Sequence, residues 1–176
     1  MQRPIACGAL FFILFFTTLG ICLLQVGERA PNFQLRDVQE KIVSLNWFCG
    51  EKLPPTQRKI VVLNFFQTTC KPCIEELPAI KRFYNSWKDD PRVIFFMIGC
   101  GDSIDRLKNF QQSQNAYNLP MLSDKYLVTC KNYGVTTFPA TIVIDGTGII
   151  NLVIKERKLN LDEILADALK KILKDN

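Results

Sequence analysis

The sequence predicts an α/β domain with a central mixed β-sheet flanked by helices, an N-terminal hairpin extension and a single N-terminal transmembrane helix. Three observations predict it. Apolar runs of strand length alternate with stretches whose apolar residues recur every three or four positions, in the order strand, helix, strand, helix, strand pair, helix. Cys70-Lys71-Pro72-Cys73 sits directly between the first of these strands and the first of these helices. Ahead of the domain, the twenty residues from Ile5 to Leu24 carry no charge.

That uncharged segment includes Phe11-Phe12-Ile13-Leu14-Phe15-Phe16. A helix of about twenty residues spans about 30 Å, the thickness of a bilayer core. The run exceeds the roughly 7–15 residues of a signal-peptide core, and no good small-x-small cleavage site follows it, so residues 1–27 read as an uncleaved anchor, with a cleaved signal peptide as the rival reading. Leu19-Gly20-Ile21-Cys22 has the outline of a lipoprotein signal, although Ile21 is large for the position before a lipidated cysteine. Arg3 lies on one side of the segment and Arg29, Arg36 and Lys41 on the other, so basic residues alone do not set its orientation.

Residues 28–176 suffice for one compact domain that buries about 70% of its unfolded surface. Asn32-Phe33-Gln34-Leu35 and Lys41-Ile42-Val43-Ser44-Leu45 alternate polar and apolar residues, as a short hairpin does. Trp47 to Lys59 is a loop containing Pro54-Pro55, and Ile60 to Phe66 is a nearly continuous apolar run, as in a strand buried on both faces. From Cys73 to Trp87, Leu77, Ile80, Phe83, Tyr84 and Trp87 mark one helix face, with Pro78 expected to bend it. Val93 to Ile98 is a second buried strand, and Asp102 or Ser103 can cap a helix running to about Gln114. A shorter helix is expected over Lys125 to Tyr133. Ala140 to Asp145 and Ile149 to Ile154 form a hairpin around Asp145-Gly146. Asn160-Leu161-Asp162-Glu163 resembles a capping box opening the last helix, with Leu161, Ile164, Leu165, Ala168, Leu169, Ile172 and Leu173 as its buried stripe.

The chain holds 22 basic and 17 acidic side chains with no basic block, the pattern of a solvated surface and not of a nucleic-acid partner. It has seven cysteines and no histidine. Without histidine there is no Cys-His or Ser-His catalysis and no histidine-ligated zinc or haem. Haem attachment at the cysteine pair also fails, because position 74 is Ile74. Cys49, Cys70, Cys73, Cys100 and Cys130 lie in the domain, an odd number, so at least one thiol lacks an intramolecular partner. Two thiols three positions apart at a helix start can close a disulfide, and the first lies where helix N–H groups stabilise a thiolate. A structural disulfide, half of a zinc site and coincidence are the plainer readings; the strand-then-helix context favours redox chemistry.

Val61-Val62-Leu63-Asn64-Phe65-Phe66, Cys70 through Pro78, and Tyr133-Gly134-Val135 through Phe138-Pro139-Ala140-Thr141 to Asp145-Gly146 together resemble the TlpA/ResA family of thioredoxin-fold proteins. The resemblance covers roughly residues 27–174. It implies a membrane-anchored thiol–disulfide oxidoreductase facing the periplasm or extracytoplasmic space. Such proteins usually act as reductants, several of them on apocytochrome c or copper-site cysteines, and are supplied by a membrane-bound electron donor. Protein thiols and disulfides are the implied substrates, with no cofactor and no metal. The family commonly has Trp before the first cysteine, whereas this chain has Gln67-Thr68-Thr69.

Cys70 is the expected nucleophile, with Lys71 and the helix start favouring its thiolate, and Cys73 the more buried resolving thiol. Glu76, one turn further on, is the candidate proton partner of Cys73, a role the resemblance supports; glutamates are also common in first helical turns because they suit the helix dipole. Phe138 and Pro139, the latter cis by resemblance, are expected to bind substrate beside the cysteines together with Lys71 and Pro72. Cys100 ends a strand on the same edge as Cys70, which leaves a second redox role open to it, but packing as a buried free thiol is its expected state. Two rival functions stay open, a disulfide oxidase or isomerase, and a metal-binding or delivery protein using Cys70, Cys73 and an extra cysteine.

Overall fold

A computed structural model of the chain describes residues 24–175. The strands are β1 (Gln34–Asp37), β2 (Ile42–Ser44), β3 (Ile60–Phe66), β4 (Val93–Cys100), β5 (Met121–Asp124), β6 (Ala140–Ile144) and β7 (Ile150–Ile154). They form one mixed sheet in the order β2-β1-β5-β4-β3-β6-β7. The helices are α1 (Lys71–Trp87), α2 (Ile104–Ser113), α3 (Val128–Asn132) and α4 (Leu161–Asp175). The predicted membrane segment, Ile5 to Leu24, lies almost wholly outside the described residues. Among those described, no helix is long and apolar enough to cross a membrane.

β3 is central because its sequence is apolar on both faces, and all seven of its residues are buried. Val62 and Phe66 point into a core shared with Cys73, Leu77 and Phe83 of α1, Leu107 of α2 and Leu165 of α4. Val61, Leu63 and Phe65 point into a second core with Phe33, Cys49, Cys130 and Tyr133. The period-2 alternation of a strand thus separates two layers. β4 and β5 run parallel in succession beside β3, whereas β6 pairs with it antiparallel, bringing the start of β6 to the end of β3 where the cysteine pair follows.

Several elements depart from expectation. β5 was not predicted; it pairs with β4 and with β1, and so welds the N-terminal hairpin into the main sheet. α1 opens at Lys71 instead of Cys73, with Pro72 in its first turn, where the missing N–H costs no helical hydrogen bond. The helix expected over Lys125 to Tyr133 is confined to α3, because Leu127 takes a left-handed conformation at φ 59°. Ser103, and not Asp102, caps α2 by accepting the Arg106 N–H. In α4, Leu161, Leu165, Leu169 and Ile172 are buried as the stripe predicted.

Candidate active site

Cys70 is the N-cap of α1. Its Sγ accepts the Cys73 backbone N–H at 3.3 Å, so the helix start points an N–H group at this sulfur. Cys70 and Cys73 form a disulfide, with their Cα atoms 5.3 Å apart. Cys70 is half-buried and Cys73 only 2% exposed, while Lys71 and Pro72 between them are exposed. Of the two sulfurs, Cys70 is therefore the one an incoming protein can reach.

Phe138 and Pro139 lie beside the pair, at the entry to β6. The Phe138–Pro139 bond is cis, and the Phe138 carbonyl oxygen lies 3.8 Å from Cys70 Sγ. Pro139 is buried and Phe138 half-buried, packed against both cores. The arrangement sets backbone polar groups next to the accessible sulfur, where an extended substrate segment can pair with them.

Glu76 follows Cys73 by one helical turn on the same face of α1 and is 1% exposed. Its Oε1 accepts the Lys158 backbone N–H at 2.8 Å and its Oε2 accepts Asn64 Nδ2–H at 3.3 Å. Burial raises its pKa above the ordinary carboxylate value, opposed by these two hydrogen bonds and by the nearby Arg157 guanidinium. Arg157 itself pairs with Glu75. A buried carboxyl held closer to neutrality than usual is suited to giving and taking a proton.

Asp102 completes the site and was missed as a functional residue. Its carboxylate accepts the Thr68 N–H at 2.8 Å and the Thr68 hydroxyl at 2.7 Å, and so anchors the loop that delivers Cys70. The expectation for Cys100 is corrected. It is buried, but disulfide-bonded to Cys130, tying the end of β4 to α3 with Cα atoms 6.4 Å apart. Cys49 is the free thiol that the odd count required; burial, reinforced by the Asp145 charge, pushes its pKa up to about 12. Cys49, Cys100 and Cys130 all belong to the core layer opposite Cys73. Among the described residues, the grouping of possible metal ligands is Cys100, Asp124 and Cys130, away from the redox pair and with both sulfurs in the disulfide. The ligand set imagined for metal delivery, Cys70 and Cys73 with one of these cysteines, is not assembled.

With its cysteine pair at a helix start on this sheet, the chain is a thioredoxin-like protein of the thiol–disulfide oxidoreductase class. The chain belongs to the AhpC/TSA family, whose model matches residues 26–153. It is 33% identical over 171 residues to the thiol-disulfide oxidoreductase ResA of Bacillus thuringiensis subsp. konkukian, covering 96% of this chain and 91% of that one. Among solved structures, the fold is shared with the thioredoxin domain of a thiol-disulfide oxidoreductase from Bacteroides vulgatus, with TM-score 0.68, 24% identity, and coverage of 82% of this chain and 97% of the other. StoA from Bacillus subtilis matches with TM-score 0.64 and 19% identity over 80% of this chain and 97% of its own.

Proposed function

We propose that the protein is an extracytoplasmic disulfide reductase. Residues 1–27 anchor it to the membrane, residues 28–176 form its thioredoxin-like domain, and a membrane-bound donor reduces it. The observation that carries the reading is the asymmetry of the pair, with a reachable Cys70 at the helix N-cap and a buried Cys73 one turn in. The Cys70 thiolate attacks one sulfur of a substrate disulfide, and the other sulfur leaves as a thiolate. Cys73 then loses its proton to Glu76 and attacks Cys70 Sγ, closing the Cys70–Cys73 bond and expelling the second substrate sulfur. The cysteine pair loses two electrons to the substrate, whose two thiolates take their protons from solvent. Cys70 has given its own proton to solvent beforehand, and Glu76 releases there the proton it took from Cys73.

Phe138 and Pro139 hold the substrate backbone beside Cys70, with Lys71 and Pro72 on the exposed rim. Cysteine pairs of apocytochrome c are the substrate class proposed, in keeping with the resemblance to ResA-type relatives. The test is a reduction assay on insulin together with the potential of the Cys70–Cys73 couple. A reductase reduces insulin, loses that activity in Cys70→Ser, and has a potential well below the oxidising range near −120 mV. A potential in that range, with net disulfide formation in reduced substrates, favours an oxidase.

A further inference from the structure

Asn64 is the one polar residue of β3, and it is fully buried. Its neighbours in the strand, Val62 and Phe66, face the α1 side of the sheet, and Asn64 faces the same way by alternation. Thr141, its cross-strand partner on β6, is 2% exposed. Asn64 Nδ2 donates both to Glu76 Oε2 at 3.3 Å and to Thr141 Oγ1 at 3.0 Å. Asn64 Oδ1, in contrast, is buried without a hydrogen-bond partner. Burying an unsatisfied amide oxygen in a central strand is costly, and an apolar side chain of the same size would avoid it.

We infer that Asn64, braced by Thr141, is the positioning residue that lets Glu76 hold a proton and release it at the same place. This rests on the proton-transfer role proposed for Glu76 above. An ionised Glu76 needs donors, and it finds them in the Lys158 N–H and Asn64 Nδ2. A protonated Glu76 is itself a donor from Oε2 and needs an acceptor there. An amide supplies either, because turning it over exchanges its oxygen and nitrogen. Turned over, Oδ1 faces Glu76 Oε2 and Thr141 Oγ1, both of which then donate to it, while Nδ2 moves to the position that has no partner, so the amide serves both forms of Glu76 but serves the ionised form better. When Cys73 attacks Cys70 Sγ, the Cys73 proton passes to Glu76, the amide turns to accept it, and the reverse turn accompanies its release. The other groups bearing on Glu76 are Arg157, whose charge favours the ionised form, and the Lys158 N–H. Neither can change from donor to acceptor.

The test follows the Glu76 carboxyl by carbon-13 NMR of the full chain in detergent micelles, alongside the pH profile of disulfide exchange. Asn64→Leu keeps the size and removes the amide. Thr141→Val removes the hydroxyl and strands one Nδ2 proton of the ionised state, and Thr141→Ser restores the hydroxyl. Because the hydrogen bond to the charged carboxylate is the stronger of the two that the amide can make, the expected result is an upward move of the carboxyl inflection by about one pH unit in Asn64→Leu. Thr141→Val gives a smaller move in the same direction, and Thr141→Ser returns to the parent value. The exchange profile shifts with the carboxyl. An unmoved inflection in Thr141→Val overturns the inference, and that variant decides the matter if Asn64→Leu does not fold. If Glu76→Gln leaves the parent's exchange profile unchanged, the Glu76 role itself fails, a result separable from the NMR titration.

Discussion

The Asp102 carboxylate takes two hydrogen bonds from Thr68, one from the backbone and one from the hydroxyl, across 34 residues of sequence. Thr68 lies two residues before Cys70, and the Cys70 N–H donates to the Gln67 carbonyl at 3.1 Å. Asp102 therefore sets the path of the loop that carries the accessible sulfur. Asp102→Ala is expected to lower stability by about 2–3 kcal/mol, the loss of charge-assisted hydrogen bonds at a buried site. It should also slow exchange of reduced protein with a small disulfide by about tenfold, as a placement loss of about 1.4 kcal/mol would do. Stopped-flow exchange and urea unfolding measure the two; a parent-like exchange rate would show that the loop holds itself.

The Cys100–Cys130 disulfide closes a loop with a sequence separation of 30 and is buried on the side of the sheet away from Cys73. Its expected role is to staple α3 to the end of β4. Cys130→Ser should cost about 3–4 kcal/mol of unfolding free energy, while Cys70 exchange persists at temperatures where the variant stays folded. Loss of exchange from a folded Cys130→Ser protein would give the second disulfide a part in the chemistry.

Glu76 carries a pH signature of known sign. Its pKa is raised by burial in the folded state, so as pH rises the unfolded chain releases this proton first. The folded state then holds more protons across the window from about 4.3, the ordinary glutamate value, up to the raised one, and stability falls through that window. Glu76→Gln does not titrate. Its stability relative to the parent should climb with pH across the window and level off above it, as read by unfolding at a series of pH values. A flat difference would mean that Glu76 titrates alike in both states.

Residues 1–27 are expected to leave the domain outside the cytoplasm. Protease added to intact spheroplasts should digest residues 28–176, and survival of the domain until lysis would reverse the proposed orientation.

The strands and helices with strong local signals were legible in the sequence. β3 reads as a buried strand because no neighbour is needed to explain seven apolar-rich residues, and α4 because its stripe repeats over four turns. β5 was hidden. Its four residues, Met121-Leu122-Ser123-Asp124, are too short for a period to register, and they are a strand because β4 and β1 lie on either side. The start of α1 could have been found from Pro72, whose fixed φ suits a first helical turn. Cys70, Cys73 and Glu76 could be named because their relation is one of spacing along a helix. The links from Thr68 to Asp102, from Cys100 to Cys130, and from Glu76 to Asn64 and Lys158 join distant segments, and only the sheet order brings them together.

The most direct measurement is mixed-disulfide trapping in cells. With Cys73→Ser, Cys70 attacks a partner disulfide and the intermediate has no internal thiol to resolve it. Covalent adducts through Cys70 should accumulate, and mass spectrometry should identify exported proteins with cysteine pairs, apocytochrome c among them. Adducts that form in Cys70→Ser and not in Cys73→Ser would contradict the assignment of Cys70 as the attacking sulfur.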